Sequence, residues 1–388
     1  MPHPARLASL LLLLLAFVAP AGAAPTSHVE LAGKVTGSRT VLGQRRVGEA
    51  RYVAISDLFY RDKAAIAEVL DLSTQNVIQI KARRATLERK FGSRINGVVL
   101  PPQAEVVLYR NGVVGLAVEE LGDNGARRLW YAELDDRGKI MRSADLATLD
   151  ATSQLAIIGA DPTGAEAWFS ITETAGHKKS VVLRRLDLAS LEIHDEQRIA
   201  LIPRGKGSDR DHAVTVHAAA DFSQFAIVEY VEADVGMSPG HVYVVDPASG
   251  ASFSVVAPPT AYGVAFSADN RYIYLGSAQL GTISRIDVVA RKIDKQVAGP
   301  RYLHHLVISP GGGKLFAFGS SSSYAMYDLP DLRSRSDASH PAGVAPAMAE
   351  LHGNGIASLD GAFFIAPDAE PRRAAGLDRS YVIARLVD

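Results

Sequence analysis

Apolar and polar positions along this chain come in short bursts. From Tyr262 to Gly299 the text YGVAFSADNRYIYLGSAQLGTISRIDVVARKIDKQVAG holds four apolar runs, each ended by a turn-like cluster. Runs this short, rich in β-branched and aromatic residues and bounded by Ser, Asp, Asn and Gly, predict strands. Four strands in 38 residues cannot enclose a core alone. The unit must pack against others like it.

Similar units do recur. The third strand of this stretch ends in Ile286-Asp287-Val288, and related text stands at Leu70-Asp71-Leu72, Ala132-Glu133-Leu134, Leu186-Asp187-Leu188, Val245-Asp246-Pro247, Tyr327-Asp328-Leu329 and Val387-Asp388. The first hairpin turn recurs as well. Asn270 has counterparts at Ala50, Gly112, Gly164, Ser223, Gly312 and Gly361, with gaps of 62, 52, 59, 47, 42 and 49 residues in chain order. Seven first turns interleave with seven third-strand ends. Radially repeated four-stranded sheets form a β-propeller. The expected fold is therefore all-β, a seven-bladed propeller of four-stranded antiparallel blades, with strands A to D numbered outward from the central channel. The text reaches only strand C of the seventh blade at Asp388, while His28 to Val35 is spare ahead of the first. That segment is expected to supply strand D of the last blade and close the ring, leaving no free radial edge. The repeated acid at the third-strand end reads as structural, because Asp at a turn can bond its own backbone.

Residues 261–300 resemble the YVTN-type propeller repeat of lactonase-like proteins. They share its apolar first strand, the Ser267-x-Asp269-Asn270 turn, Tyr272-x-Tyr274 and Ile286-Asp287. Residues 301–335 match fairly and the other blades faintly; Leu275-Gly276-Ser277 stands where the family name has its Asn. The resemblance implies the fold and no particular reaction, since propellers host binding, scaffolding and catalysis alike.

Composition narrows the setting. A net charge of −1 over 388 residues argues against a global attraction to nucleic acid or anionic membrane. With no cysteine, disulfides, thiolate metal sites, iron–sulfur clusters, covalent haem and Cys nucleophiles are all excluded. Residues 1–23 read as a signal peptide. Arg6 supplies the positive start, Leu7 to Pro20 is apolar with six consecutive leucines, and Ala21-Gly22-Ala23 offers a cleavage site. The run is shorter than the ~20 residues a spanning helix needs, and no Cys follows it to carry a lipid. Residues 24–388 are then the propeller domain of a periplasmic or secreted bacterial protein, expected to be a monomer with no membrane insertion after cleavage.

No Gly-x-Ser-x-Gly, His-Glu-x-x-His or Gly-x-x-x-x-Gly-Lys-Ser/Thr motif is present. Ser309 to Lys314, SPGGGK, precedes a strand pattern and reads as a hairpin turn. If strand A runs from a top face to a bottom face, the long D–A and B–C connections lie on top, where functional loops often are. Three stand out: 83–103, with a helical turn expected over Ala85 to Lys90, 203–212 and 231–241. The last two belong to blade 4 and offer Arg204, Lys206, Asp209, Arg210, Asp211, Glu232 and Asp234. By alignment to Tyr262, the channel mouth should receive Glu105, Thr215, His217, His304, His305 and Asn354, with His352 just before. His177, His212 and His241 are expected on top loops. Adjacent residues on a strand point to opposite faces, so at most one of His304 and His305 is expected to face the channel.

These features lead to a binding or scaffold module that uses its top-face loops to hold a protein or small-molecule partner, with no complete catalytic motif. No cofactor is implied, though imidazoles converging on the mouth could hold a transition metal. Two alternatives compete. One is a noncatalytic propeller subunit of a periplasmic dehydrogenase, by fold analogy with quinohaemoprotein amine dehydrogenases. The other is a lactonase-like hydrolase or lyase using the channel histidines and Glu105.

Overall fold

The computed structural model describes residues 28–37, 45–95, 98–122, 126–176, 178–202, 212–231, 239–319, 324–335, 355–367 and 379–388. They form seven four-stranded antiparallel sheets and one two-stranded ribbon. Blade 1 takes Arg45–Arg46, Tyr52–Arg61, Ala64–Asp71 and Asn76–Arg83 as strands A to D. Blade 2 takes Gln103–Arg110, Val113–Leu121, Arg127–Leu134 and Ile140–Leu149. Blade 3 takes Gln154–Ala160, Glu166–Ala175, Lys178–Asp187 and Ile193–Ala200. Blade 4 takes His212–Ala218, Phe225–Val231, Gly240–Asp246 and Ala251–Ala257. Blade 5, the stretch with the clearest pattern, takes Ala261–Phe266, Tyr272–Ser277, Thr282–Asp287 and Lys292–Ala298. Blade 6 takes Leu303–Ile308, Lys314–Gly319, Tyr324–Asp328 and Arg333–Ser334.

Blade 7 is the composite. Its strands A to C are Ile356–Ala357, Phe363–Pro367 and Arg379–Val387, and its strand D is His28–Gly37. The two ends of the described chain pair antiparallel from His28↔Val387 to Gly37↔Arg379, with one bulge between Leu31 and Gly33. Blade 1 latches onto that bulge: the Gln75 side chain donates to the Ala32 carbonyl at 2.9 Å. The N-terminal strand thus closes the ring, as its spare position in the sequence predicts.

The apolar pattern explains why the blades stack. Strands B and C are nearly continuous apolar runs, buried on both faces: Tyr272–Ser277 is buried throughout except at its half-buried first residue. Strand D of the same blade, Lys292–Ala298, alternates exposed and half-buried positions because one face meets solvent. Seven apolar clusters form among the described residues, one in each interface between neighbouring blades. No blade buries its own core; each is half of two.

The turns follow from residue chemistry. Gly112, Gly164, Asn270, Gly312 and Gly361 adopt positive φ in the A–B turns, a conformation that Gly and Asn reach with least strain. In blades 1 and 4 that role falls to Gly48 and Phe222, not to the aligned Ala50 and Ser223. Four of the repeated acids, Asp71, Asp187, Asp246 and Asp287, bond their own turns as expected, while Glu133 pairs with Arg142, Asp328 with Lys314, and Asp388 accepts from the Gly311 amide of blade 6. Asp187 accepts from the Ala189 and Ser190 amides at 2.8 Å each, and Asp246 from those of Ala248 and Ser249. Ser309 to Lys314 is a hairpin turn, closed by the Ser309 amide on the Lys314 carbonyl.

Between blades 1 and 2 the chain makes a short helix, Arg84–Phe91, slightly longer than the expected helical turn, then the ribbon Ser93–Ile95 and Val98–Leu100. Leu87 and Phe91 are buried, and the Phe91 ring lies 5.7 Å from that of Trp130. No helix among the described residues is long and apolar enough to cross a membrane.

Candidate functional site

The channel mouth is built by strand irregularities. In blade 5 the register of strands A and B shifts between Ala261 and Gly263, and in blade 6 between Leu303 and His305. Tyr262 and His304 are therefore the extra residues of two equivalent bulges. A bulge re-aims side chains that a regular strand would send to opposite faces. This corrects the alternation argument for blade 6: both His304 and His305 line the channel cavity.

Blades 5 and 6 approach closely at this point. A Cβ on Gly263 would stand 3.1 Å from Leu306 Cγ and 3.4 Å from the His304 carbonyl, so the strand A of blade 5 comes nearest its neighbour where it has no side chain. The Tyr262 and His304 rings consequently stack, with centroids 5.5 Å apart and planes 20° apart. The row continues on either side. Tyr230 meets Tyr262 edge-on at 4.9 Å, His305 lies 6.4 Å from His304 and 5.3 Å from Phe364, and Phe364 stacks on Phe318 at 4.6 Å. Aromatic rings from blades 4 to 7 thus form one arc.

That arc walls a cavity of about 550 Å³ whose lining also includes Arg46, Thr215 and His217. Two blades meet at the residue after Arg46. Val47 of blade 1 bridges to Ala160 of blade 3, and a Cβ on Gly159 would stand 2.7 Å from the Arg46 carbonyl.

Electrostatically the cavity sets one guanidinium, Arg46, beside two neutral imidazoles, His217 and His305. Burial, with His304 and His217 close by, lowers the His305 pKa to about 3. The Gly355 amide donates to His305 Nε2 at 3.4 Å, so the lone pair is there and the ring proton is on Nδ1. Gly355 is held to glycine by contact, since a Cβ would stand 2.3 Å from Phe364 Cζ. Burial and the charge of Arg46 lower His217 to about 4, and its Nε2 lies 3.0 Å from Thr215 Oγ1. Both rings are neutral at pH 7. Burial also lowers the Arg46 pKa, yet a guanidinium stays charged in a protein. Its side chain is reached by water from inside the channel while protein surrounds it. Among the described residues it has no hydrogen bond or ion pair.

Several expected site residues fall elsewhere. Glu105 is in strand A of blade 2, paired regularly with Ala117, and does not line the cavity; the bulge of that strand comes later, between Val106 and Leu108. His241 is not on a loop. It is the second residue of strand C in blade 4, opposite Glu229, with Nδ1 3.7 Å from Glu229 Oε2 and its ring 6.2 Å from that of Tyr243. His212 opens strand A of blade 4. Arg204, Lys206, Asp209, Arg210, Asp211, Glu232, Asp234, His352, Asn354 and His177 lie outside the described residues. Among the described residues no three His, Cys, Asp or Glu form a group able to hold a metal ion.

Sequence reasoning missed Arg46, Tyr230, Gly355 and Phe364. One signal recovers part of the lining: Thr215, Tyr262 and His304 each stand eight residues ahead of their blade's first-turn residue, Ser223, Asn270 and Gly312.

No protein-family model matches this chain, and no curated protein matches it. Among solved structures, a chain in a crystal structure of the mitotic checkpoint complex is 12% identical, with 94% of each chain covered and a TM-score of 0.49. The β-propeller domain of Myceliophteria thermophila Cps50 (Swd1) is 11% identical, with 92% of this chain and 99% of that one covered, again at 0.49. Likenesses this distant say nothing about ligand or partner.

Proposed function

We propose that this chain is an exported β-propeller binding module that holds a small planar molecule in the mouth of its channel. The observation that carries this reading is the 550 Å³ cavity walled by the Tyr230–Tyr262–His304–His305–Phe364 arc. Ligand sites are commonly concave, largely apolar and aromatic, with a few convergent polar groups, and of this size. Offset stacking on such rings favours flat partners.

Binding is favoured over catalysis by the chemistry of the lining. Thr215 and His217 do form a hydroxyl–imidazole pair. An imidazole with a pKa near 4 is a weak base at neutral pH, and no carboxylate orients it among the described lining residues. The leader at residues 1–23 supports export, and the residues quoted for blade 5 support kinship with YVTN-type repeats. The mixed charges of residues 203–212 and 231–241 are part of the same binding reading on the sequence alone.

The test is ligand-observed saturation-transfer NMR on residues 24–388 with a panel of indole, 4-methylphenol and 2-naphthoate. Saturation transfer to at least one member, abolished in a Tyr262→Ala/His304→Ala double variant that retains its melting temperature, is the expected result. Transfer that is unchanged in the double variant would place binding outside the channel mouth.

A further inference from the structure

We propose that the ligand class of this cavity is a planar aromatic monocarboxylate, its ring held against Tyr262, His304 and Phe364 and its carboxylate on the Arg46 guanidinium. The inference rests on the channel-mouth reading and adds the charge of the ligand to it.

Arg46 is the only Lys, Arg, Asp or Glu among the described lining residues. Among the described residues this guanidinium has no protein partner, and an anion entering the cavity would take the place of water on its N–H donors. Two of the three lining histidines do not compete for this role. His217 and His305 are neutral, so they add N–H donors and no charge. One fixed positive charge matches one negative charge. A phosphate-like dianion would call for a second fixed cation, and the described lining holds no other Lys or Arg. A guanidinium presents a planar fork of N–H donors that fits a carboxylate bidentately.

The ring half of the ligand is read from the wall. Tyr262 and His304, backed by the buried Phe364, line the same space as Arg46. An aliphatic acid would satisfy Arg46 but leave the stacking surface unused. A neutral aromatic would stack but leave the guanidinium without a counter-ion. An aromatic acid does both.

Isothermal titration of residues 24–388 at pH 7 with three probes tests this: 2-naphthoate, its neutral isostere 2-naphthamide, and cyclohexanecarboxylate. Naphthoate should bind at least about tenfold tighter than either of the others, the scale of a charge-assisted hydrogen-bonded pair. Arg46→Met should bring naphthoate down to the level of naphthamide while leaving naphthamide unchanged, and Arg46→Lys should keep part of the preference. Equal binding of naphthoate and naphthamide to the wild type overturns the carboxylate assignment and leaves the channel-mouth site standing. Preference that survives in a folded Arg46→Met overturns it too. No heat with either aromatic probe overturns both readings. The matched pair on the wild type decides the matter even if Arg46→Met does not fold.

Discussion

The ring of Tyr262 lies stacked on that of His304, and each of these residues is the extra one in the bulge of its own blade's strand A. Neighbouring blades have thus placed an aromatic side chain at the same structural position. The two are met by Tyr230 on one side and His305 on the other, so a repeat used for stacking blades also yields a continuous aromatic surface.

The ring closure should be the largest single contributor to stability. Val29 and Val35 of the closing strand are buried, in the clusters that join blade 7 to blades 6 and 1. Deleting residues 28–37 exposes both clusters and strips Arg379–Val387 of its outer partner, leaving it paired only to Phe363–Pro367. We expect a melting temperature lower by more than about 10 °C, or an insoluble protein, from the loss of several buried side chains at ~1.5–3 kcal/mol each. An unchanged melting temperature would contradict closure by this strand.

Blades are also tied by charged clasps, and one is specific enough to test. Arg285 in strand C of blade 5 grips Asp294 through Nε and Nη2 at 2.9 and 2.7 Å, while Nη1 donates to the Pro330 carbonyl of blade 6 at 2.6 Å. Its side chain is only 11% exposed. Arg285→Ala strips three donors from partly buried acceptors and should cost roughly 1–3 kcal/mol in urea denaturation. Arg301→Ala, on an exposed turn, should change stability by less than about 0.5 kcal/mol. Equal effects would remove the clasp from the account.

The fold was legible because it is written seven times. The Ile-Asp type of third-strand end and the turn series at Gly112, Gly164, Asn270, Gly312 and Gly361 fix both strand ends in most blades, whatever the loops do. The site was legible only in part. The eight-residue spacing ahead of each turn marks Thr215, Tyr262 and His304. The bulge that turns both His304 and His305 toward the channel depends on how closely two strands approach, and no local pattern encodes that. Arg46 was hidden for another reason. Strand A of blade 1 is only Arg45–Arg46, too short to show any alternation, and its place at the channel comes from the bridge of Val47 to Ala160 across the ring.

The buried imidazoles give the protein a pH dependence of defined sign. Folding depresses His217 to about 4 and His305 to about 3, both below the ordinary 6.5. Between those values and 6.5 the unfolded chain binds the proton and the folded one does not, so stability rises with pH across that window. The cost is absent above about pH 6.5, grows as pH falls, and levels off below about 3. Roughly 1–3 kcal/mol per histidine is expected, channel water holding it below the full desolvation figure. A His217→Asn/His305→Asn variant should lose less stability than wild type between pH 6.5 and pH 4; carboxylates titrate alike in both. Parallel melting curves across that range would contradict the burial of these rings.

The central claim, that the arc at the channel mouth is the binding surface, is tested most directly by the histidine ring protons themselves. The wild-type protein can be titrated with the tightest binder among indole, 4-methylphenol and 2-naphthoate while the His Hε1 and Hδ2 resonances are followed by NMR, assigned by single substitution. A flat ring stacked at the arc should move the His304 resonances most, by ring current and saturably, with smaller shifts at His217 and His305. The strand-edge residue His194 in blade 3 and His28 in the closing strand should stay still. Saturable shifts at His194 or His28 with none at His304 would contradict the account.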